Sequence, residues 1–350
     1  MRGRVLLYGA TGFTGRLLAA HLHETDTDLV LAGRDGAAMT RLATELNVPA
    51  RVFELTEDFD AALADVAVVV HAAGPFQQTA APMMAACIRT RTHYLDVAGE
   101  WPVFQDAMHR GLAAGANGVM LLPGAGFAIV ASDCLLALAA ASLPEVRVLR
   151  LATSRPAMLA RGSVRSATGL TRPTVLARRD GVLREEPAGT TMRHFDFGDG
   201  PRPAVAVTWP DVVTGGFTTG VGTIETYSEA DWTERLTFRV CSAASPWTSS
   251  PAGQAVSRVL SRAWIASPTE AARAKAGFTL VAEATDRWKR SIGLRLRTPD
   301  GYTVTVRAVG EILRRVLDGA AEPGFRTPAS LFGGGFIQGL GCATLESIPV

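Results

Sequence analysis

A chain of 350 residues is too long for one comfortable core, so two domains are expected. Apolar residues make up 47% and charged residues 19%, the balance of a soluble globular protein, and a net charge of +2 with no long basic run speaks against nucleic acid or an anionic membrane surface as the main partner. Lys275 and Lys289 are the only lysines and no Tyr has a Lys four residues on, which sets aside a lysine Schiff base and a Tyr-x-x-x-Lys proton relay.

The pattern predicts strand and helix in alternation as far as Leu122. Val5–Tyr8 is a short apolar run, followed by glycines and an amphipathic stretch to Glu24. Leu29–Ala32 is the next strand, with a helix ending near Leu46. Arg51–Phe53 is a third strand and Asp58–Leu63 a short helix. Val66–Ala72 is continuously apolar, as a strand covered on both faces must be. Thr79–Arg89 is helical, Tyr94–Val97 a strand, Val103–Ala116 a helix and Val119–Leu122 a sixth strand. Such alternation means right-handed β-α-β units and a parallel sheet. The most apolar stretch, Gly111–Leu143, is broken by Asn117, Pro123, Gly124, Gly126 and Asp133, so it reads as buried helix, strand, turn and helix rather than a membrane span. The first residues run straight into a strand, so no leader peptide is expected.

Beyond Leu143 the rhythm changes. Val146–Thr153 alternates like a strand. Phe278–Ala284, Ile292–Arg297 and Tyr302–Ala308 read as antiparallel strands, with Pro299-Asp300-Gly301 as a turn between the last two. Gly198–Pro203 and Pro246–Pro251 read as loops, Ile312–Leu317 as helical and Thr327–Leu340 as a last helix. The fold class is therefore α/β: a doubly wound Rossmann sheet followed by an α+β domain with a largely antiparallel sheet.

The strongest motif is Gly9-Ala10-Thr11-Gly12-Phe13-Thr14-Gly15, between the first strand and the first helix. Gly9 permits the tight turn, Gly12 lets the backbone approach a pyrophosphate, and Gly15 lets the helix pack on the sheet. The phosphates would lie on the free N–H groups and positive end of that helix. The second strand ends in Gly33-Arg34-Asp35, where an Arg accommodates the 2′-phosphate of NADP and an acid would bind the ribose diol of NAD. Arg34 comes first, beside Gly33, and Asp35 suits a helix N-cap, so NADP(H) is the expected cofactor. Ala73-Gly74-Pro75-Phe76 ends the fourth strand and should pass under the ribose and nicotinamide; Phe76 would wall that pocket or serve as a core residue.

Two further strand ends point to the same crevice. Tyr94, Asp96 and Glu100 are the candidates for donating a proton, and alternation puts Tyr94 and Asp96 on one face; each also suits a buried hydrogen-bonded group or a helix cap. Phe127 follows the turn Pro123–Gly126. Segments Ser163–Thr168 and Trp209–Thr219 are expected to line the substrate, with Arg165, Asp211 and Thr219 as candidate contacts. The six histidines have no metal-ligand spacing, so no metal is expected. Cys87, Cys134, Cys241 and Cys342 form no C-x-x-C pair and suit a reduced, cytoplasmic protein. No nucleophile elbow surrounds any Ser, which argues against a hydrolase.

These segments together resemble the saccharopine dehydrogenase-like oxidoreductases, a family that includes mycobacterial trans-acting enoyl reductases. The resemblance is carried by Tyr8–Gly15, Leu31–Arg34, Ala72–Phe76, His93–Glu100 and Leu122–Asp133. It continues through Ala160–Thr168, Phe197–Gly200, Trp209–Thr214, Pro299–Thr305 and Gly324–Ala329. It implies a Rossmann domain over residues 1–130, a substrate and dimerisation domain over 131–325, and a segment 326–350 that returns to the first domain. It also implies NADP(H), a homodimer, a small-molecule substrate without stable membrane insertion, and reduction or oxidation of a C–N bond or reduction of an acyl C=C bond. It transfers no catalytic residue, and Ala128 stands where the family often has Asp. The expected activity is hydride transfer from NADPH to a C=N or conjugated C=C bond; the alternative is a non-catalytic NADP(H) sensor or scaffold.

Overall fold

The computed structural model describes residues 3–56, 58–155, 174–231 and 276–350. It divides into two compact units. One comprises Met1–Ala98, Pro102–Val130 and Tyr302–Leu331; the other comprises Gly99–Trp101, Ala131–Gly301 and Phe332–Val350.

The first unit is built on β1 (Arg4–Tyr8), β2 (Leu29–Gly33), β3 (Ala50–Val52), β4 (Val66–His71), β5 (His93–Asp96), β6 (Met120–Leu122) and β15 (Gly324–Phe325). Their order is β15-β6-β5-β4-β1-β2-β3, and every pairing is parallel. The central strands carry apolar runs, Val5–Leu7 in β1, Leu29–Ala32 in β2 and Val66–Val70 in β4, as suits a sheet covered by helices on both faces. Helix α1 (Phe13–Glu24) buries Gly15, Leu18, Ala19 and Leu22, one stripe at helical spacing. Helix α2 (Gly36–Leu46) starts on Asp35, whose carboxylate accepts the Ala38 N–H at 3.0 Å, and ends on Asn47 in the left-handed region. Helices α3 (Phe76–Thr90) and α4 (Trp101–Ala116) follow β4 and β5.

Helix α5 (Phe127–Ala141) leads into the second unit. There, among the described residues, nine strands form one mixed sheet. Its main path runs β10 (Met192–Asp196), β11 (Pro201–Ala206), β12 (Thr223–Glu229), β7 (Val146–Thr153), β13 (Gly277–Asp286), β14 (Ser291–Pro299) and β16 (Thr344–Ile348), with the hairpin β8 (Thr174–Arg179) and β9 (Val182–Pro187) attached to β12. Only β12 and β7 run parallel; the other pairs are antiparallel. Helix α6 (Asp211–Thr219) packs on this sheet so tightly that a Cβ at Gly215 would lie 3.1 Å from both Ile224 of β12 and Leu136 of α5.

The structure corrects several expectations. Tyr302–Ala308 is not a strand: Gly301–Arg315 is one helix, α7, and Pro299-Asp300-Gly301 leads from β14 into it. Val304, Thr305, Ala308, Val309, Ile312 and Leu313 are buried, a helical stripe that the alternating Tyr-Thr-Val-Thr-Val run disguises. Thr327–Leu340 is two short helices, α8 (Pro328–Phe332) and α9 (Phe336–Gly339), separated by Gly333, Gly334 and Gly335. Pro201–Pro203 belong to β11 rather than to a loop. The segment that rejoins the first unit is Tyr302–Leu331, whereas Phe332–Val350 stays with the second, where β16 pairs with β14. Segments Ser163–Thr168 and Pro246–Pro251 and residue Cys241 lie outside the described residues.

Candidate functional site

The carboxyl ends of β1, β2 and β4 form the candidate cofactor edge of the first unit. Gly9 sits at φ +86°, and a Cβ there would come within 2.8 Å of the Ala73 nitrogen and side chain. The glycine is therefore required twice, by its backbone angle and by the closeness of the turn after β4. At Gly15 a Cβ would lie 2.2 Å from the Gly9 carbonyl oxygen, so the first turn of α1 is clamped on the loop. Gly12 differs: only the Gly9 oxygen, at 3.3 Å, stands near its missing side chain, and the residue is exposed. Gly12 caps α1 with no side-chain hydrogen bond, and the first turn carries no acid. The N–H groups of Phe13, Thr14 and Gly15 thus face an open, anion-attracting cradle lined by half-exposed Thr11. These features fit a dinucleotide pyrophosphate.

At the end of β2, Gly33 is buried and Arg34 exposed. Asp35 is committed to the α2 cap, while Arg34 has no hydrogen bond or ion pair among the described residues, which leaves the guanidinium for an incoming anion. Next to it, Tyr8 donates to the Phe53 carbonyl at 3.2 Å, and burial pushes its phenol up while the Arg34 charge opposes the shift. The turn Ala73-Gly74-Pro75-Phe76 includes a cis Gly74–Pro75 bond. Gly74 is exposed, whereas Phe76 is 7% exposed and packs edge-on against His71 with ring centres 5.4 Å apart.

The three candidate proton donors stand otherwise. Tyr94 and Asp96 do share a face, but both are fully buried. Tyr94 donates to Asp96 Oδ2 at 2.7 Å, and Oδ1 accepts the Ala98 N–H at 2.9 Å and the Gly124 N–H at 2.7 Å. Asp96 thereby ties the end of β5 to the turn after β6. Glu100 is 2% exposed and accepts the Gly99 N–H at 3.0 Å. Phe127 opens α5 and its N–H donates to Thr305 Oγ1 of α7 at 3.0 Å.

In the second unit Asp211 is fully buried at the start of α6. Among the described residues neither carboxylate oxygen meets a hydrogen-bond partner of good geometry, although Ser132 lies close enough to favour the charged form. Burial dominates, and with the Asp133 charge beside it the group is pushed up to about 8. Thr219 spends its hydroxyl on the Gly215 carbonyl, 2.6 Å away, at the end of α6. Arg165 lies outside the described residues. Sequence reasoning missed Tyr302, whose ring stands edge-on to Phe13 of the glycine loop at 4.9 Å. The buried stripe of α7 was the signal that would have placed it there.

Comparison with known proteins agrees with this geometry. Residues 5–121, which apart from Gly99–Trp101 lie within the first unit, match the family model described as the saccharopine dehydrogenase NADP binding domain. A trans-acting enoyl reductase of Mycobacterium leprae is 33% identical over 140 residues, 37% of this chain and 33% of the relative. A putative trans-acting enoyl reductase of Mycobacterium tuberculosis is 34% identical over 142 residues, with the same coverage. The matched part thus spans about a third of the length of these curated relatives. Apo saccharopine dehydrogenase (L-Glu forming) of Saccharomyces cerevisiae superposes with a TM-score of 0.64 at 14% identity, over 99% of this chain and 100% of that one. The fold is therefore that of saccharopine dehydrogenase, and the sequence resemblance holds within residues 5–121.

Proposed function

We propose that the protein is an NADP(H)-dependent oxidoreductase that transfers hydride to a C=N or conjugated C=C bond of a small metabolite or acyl intermediate. The observation that carries this reading is the open cradle at Gly12 with unpaired Arg34 beside it. Bound NADPH supplies the hydride from nicotinamide C4. The first-turn N–H groups of α1 hold the pyrophosphate, Arg34 pairs with the 2′-phosphate, and the turn Ala73–Phe76 receives the ribose and nicotinamide. The enoyl reductase names of the curated relatives support the conjugated C=C arm. Tyr94 and Asp96, closed on each other, act by positioning, and the proton comes from another side chain or from water. We also read the protein as a homodimer joined through the second unit.

The burial of Tyr94, Asp96 and Glu100 favours one competing reading, a non-catalytic NADP(H) sensor. NADPH absorbance followed with a panel of imines and α,β-unsaturated acyl thioesters separates the two. Acceptor-dependent oxidation is expected; binding of NADPH with no turnover on any acceptor supports the sensor. Arg34→Ala should weaken NADPH binding roughly ten- to hundredfold, the worth of charge-assisted hydrogen bonds, and leave NADH little changed. Equal losses for both cofactors in a titration would remove Arg34 from the site.

A further inference from the structure

His71 ends β4 and is fully buried. Its ring lies parallel to Tyr8 at 5.5 Å, edge-on to Phe76 at 5.4 Å and 6.2 Å from Tyr94. Burial keeps it neutral, pushed down to about 3. Nε2 stands 2.9 Å from Thr79 Oγ1, on the first turn of α3. That hydroxyl is in turn 2.6 Å from the Ala73 carbonyl and 3.1 Å from the Pro75 carbonyl.

Proton counting fixes the direction of these bonds. Carbonyls only accept, and a threonine hydroxyl has one hydrogen. Thr79 therefore donates to the turn, chiefly to Ala73, and its lone pair takes the proton on His71 Nε2. The ring is the Nε2–H tautomer, and its bare Nδ1 meets no partner among the described residues. A buried acceptor without a partner costs stability, so beyond packing the ring contributes through the bond to Thr79, with the Ala73 backbone also close enough to favour its protonated form. On its other side the turn is wedged against the glycine loop, since a side chain at Gly9 would strike Ala73 at 2.8 Å. Ala73 thus cannot move towards Gly9, and Thr79 stops it from moving away.

We infer that His71 and Thr79 are positioning residues for the nicotinamide half of the dinucleotide: the relay from His71 Nε2–H through Thr79 Oγ1 to the Ala73 carbonyl holds the turn Ala73–Phe76 in the shape that receives the nicotinamide ribose. This rests on the reading above, in which NADP(H) lies along this edge. Neither residue touches the reacting atoms. The relay leaves the adenosine half, at Gly33 and Arg34, untouched.

The test titrates wild type, Thr79→Val and Thr79→Ser with NADPH and with adenosine 2′,5′-bisphosphate, which lacks the nicotinamide half. In Thr79→Val, NADPH affinity should fall about tenfold, the loss expected for one or two hydrogen bonds. Bisphosphate affinity should stay as in wild type, and the emission of bound NADPH should move towards that of free cofactor. Thr79→Ser should restore both. Unchanged NADPH binding in Thr79→Val, equal losses for the two ligands, or no recovery in Thr79→Ser would each overturn the inference. Wild type that binds no NADPH would instead remove the cofactor reading on which it stands. Nitrogen NMR of the wild-type histidines judges the relay even where a variant does not fold. A neutral Nε2–H tautomer that persists to about pH 4 is expected from the depressed pKa, and an Nδ1–H tautomer would overturn it.

Discussion

Asp96 satisfies two backbone N–H groups and one phenol in a region that water does not reach. Removing its carboxylate takes the acceptor from the buried Ala98 and Gly124 N–H groups, each a desolvation cost of order 1–3 kcal/mol. Asp96→Ala is therefore expected to lose at least about 2 kcal/mol in urea denaturation, and Tyr94→Phe only about 1 kcal/mol. A variant Asp96→Ala as stable as wild type would mean that Ala98 and Gly124 find other acceptors and that Asp96 is free for chemistry. Strand alternation showed that Tyr94 and Asp96 share a face; it gives no sign of which face meets the core. At Asp35 the sequence was more legible. An acid at the start of a helical pattern suits an N-cap, and the carboxylate does bond the Ala38 N–H.

The elements divide by how far their local signals agree with their surroundings. Gly9, Gly12 and Gly15 each follow from a distinct demand, and the space around them separates those demands. Gly12→Val is expected to keep native far-UV circular dichroism and lose NADPH binding, because its side chain enters the phosphate cradle. Gly15→Ala is expected to destabilise the protein itself, because its Cβ meets backbone at 2.2 Å. Retained NADPH affinity in Gly12→Val would place the dinucleotide elsewhere. Helix α7 was misread because the four β-branched residues Thr303–Val306, in which threonine alternates with valine, imitate a strand, and only its longer stripe, through Leu313, reveals the helix. The hairpin β8–β9 had a signal that passed unnoticed: Asp180-Gly181, both at positive φ, joins Arg179 and Val182. Helix α6 yields a pH prediction through Asp211. Its folded pKa of about 8 lies above the unfolded value near 3.9, so the neutral form is favoured by folding. Its contribution is fully present below about pH 4 and is lost as pH rises towards 8. His71, held neutral by burial, has the opposite sign and adds stability as pH rises to about 6.5, so wild-type stability should fall chiefly between about pH 6.5 and 8, and Asp211→Asn should flatten most of that fall. Glu283, also raised by burial, contributes with the same sign and would leave a residue of slope. Identical pH profiles for the two proteins would show that Asp211 is not buried in its neutral form.

At the scale of the molecule, the first sheet was legible because alternation and handedness leave few ways to order parallel strands. The second unit was less so, since its sheet joins segments far apart in the chain, from β7 to β16, and nothing local encodes such pairings. The exchange of Tyr302–Leu331 and Phe332–Val350 between units is the same difficulty, made worse by the misread α7. The registers also set two unlike faces on the second sheet. Ile224, Leu149 and Ala284 align on one, the face that Gly215 of α6 approaches through Ile224. Glu225, Arg150 and Glu283 align on the other, followed by Tyr227, Ala152, Val281, Arg295 and Glu346. Ala152, Tyr227 and Val281 are covered within the unit by Phe195, Phe197 and Ala204, and Arg150–Glu225 and Arg295–Glu346 pair within the chain, so this face is internal packing. The proposed homodimer rests instead on the prevalence of two-fold assemblies and on the resemblance seen in the sequence. Light scattering at micromolar concentration should therefore give twice the mass of one chain. A monomer would remove the dimer.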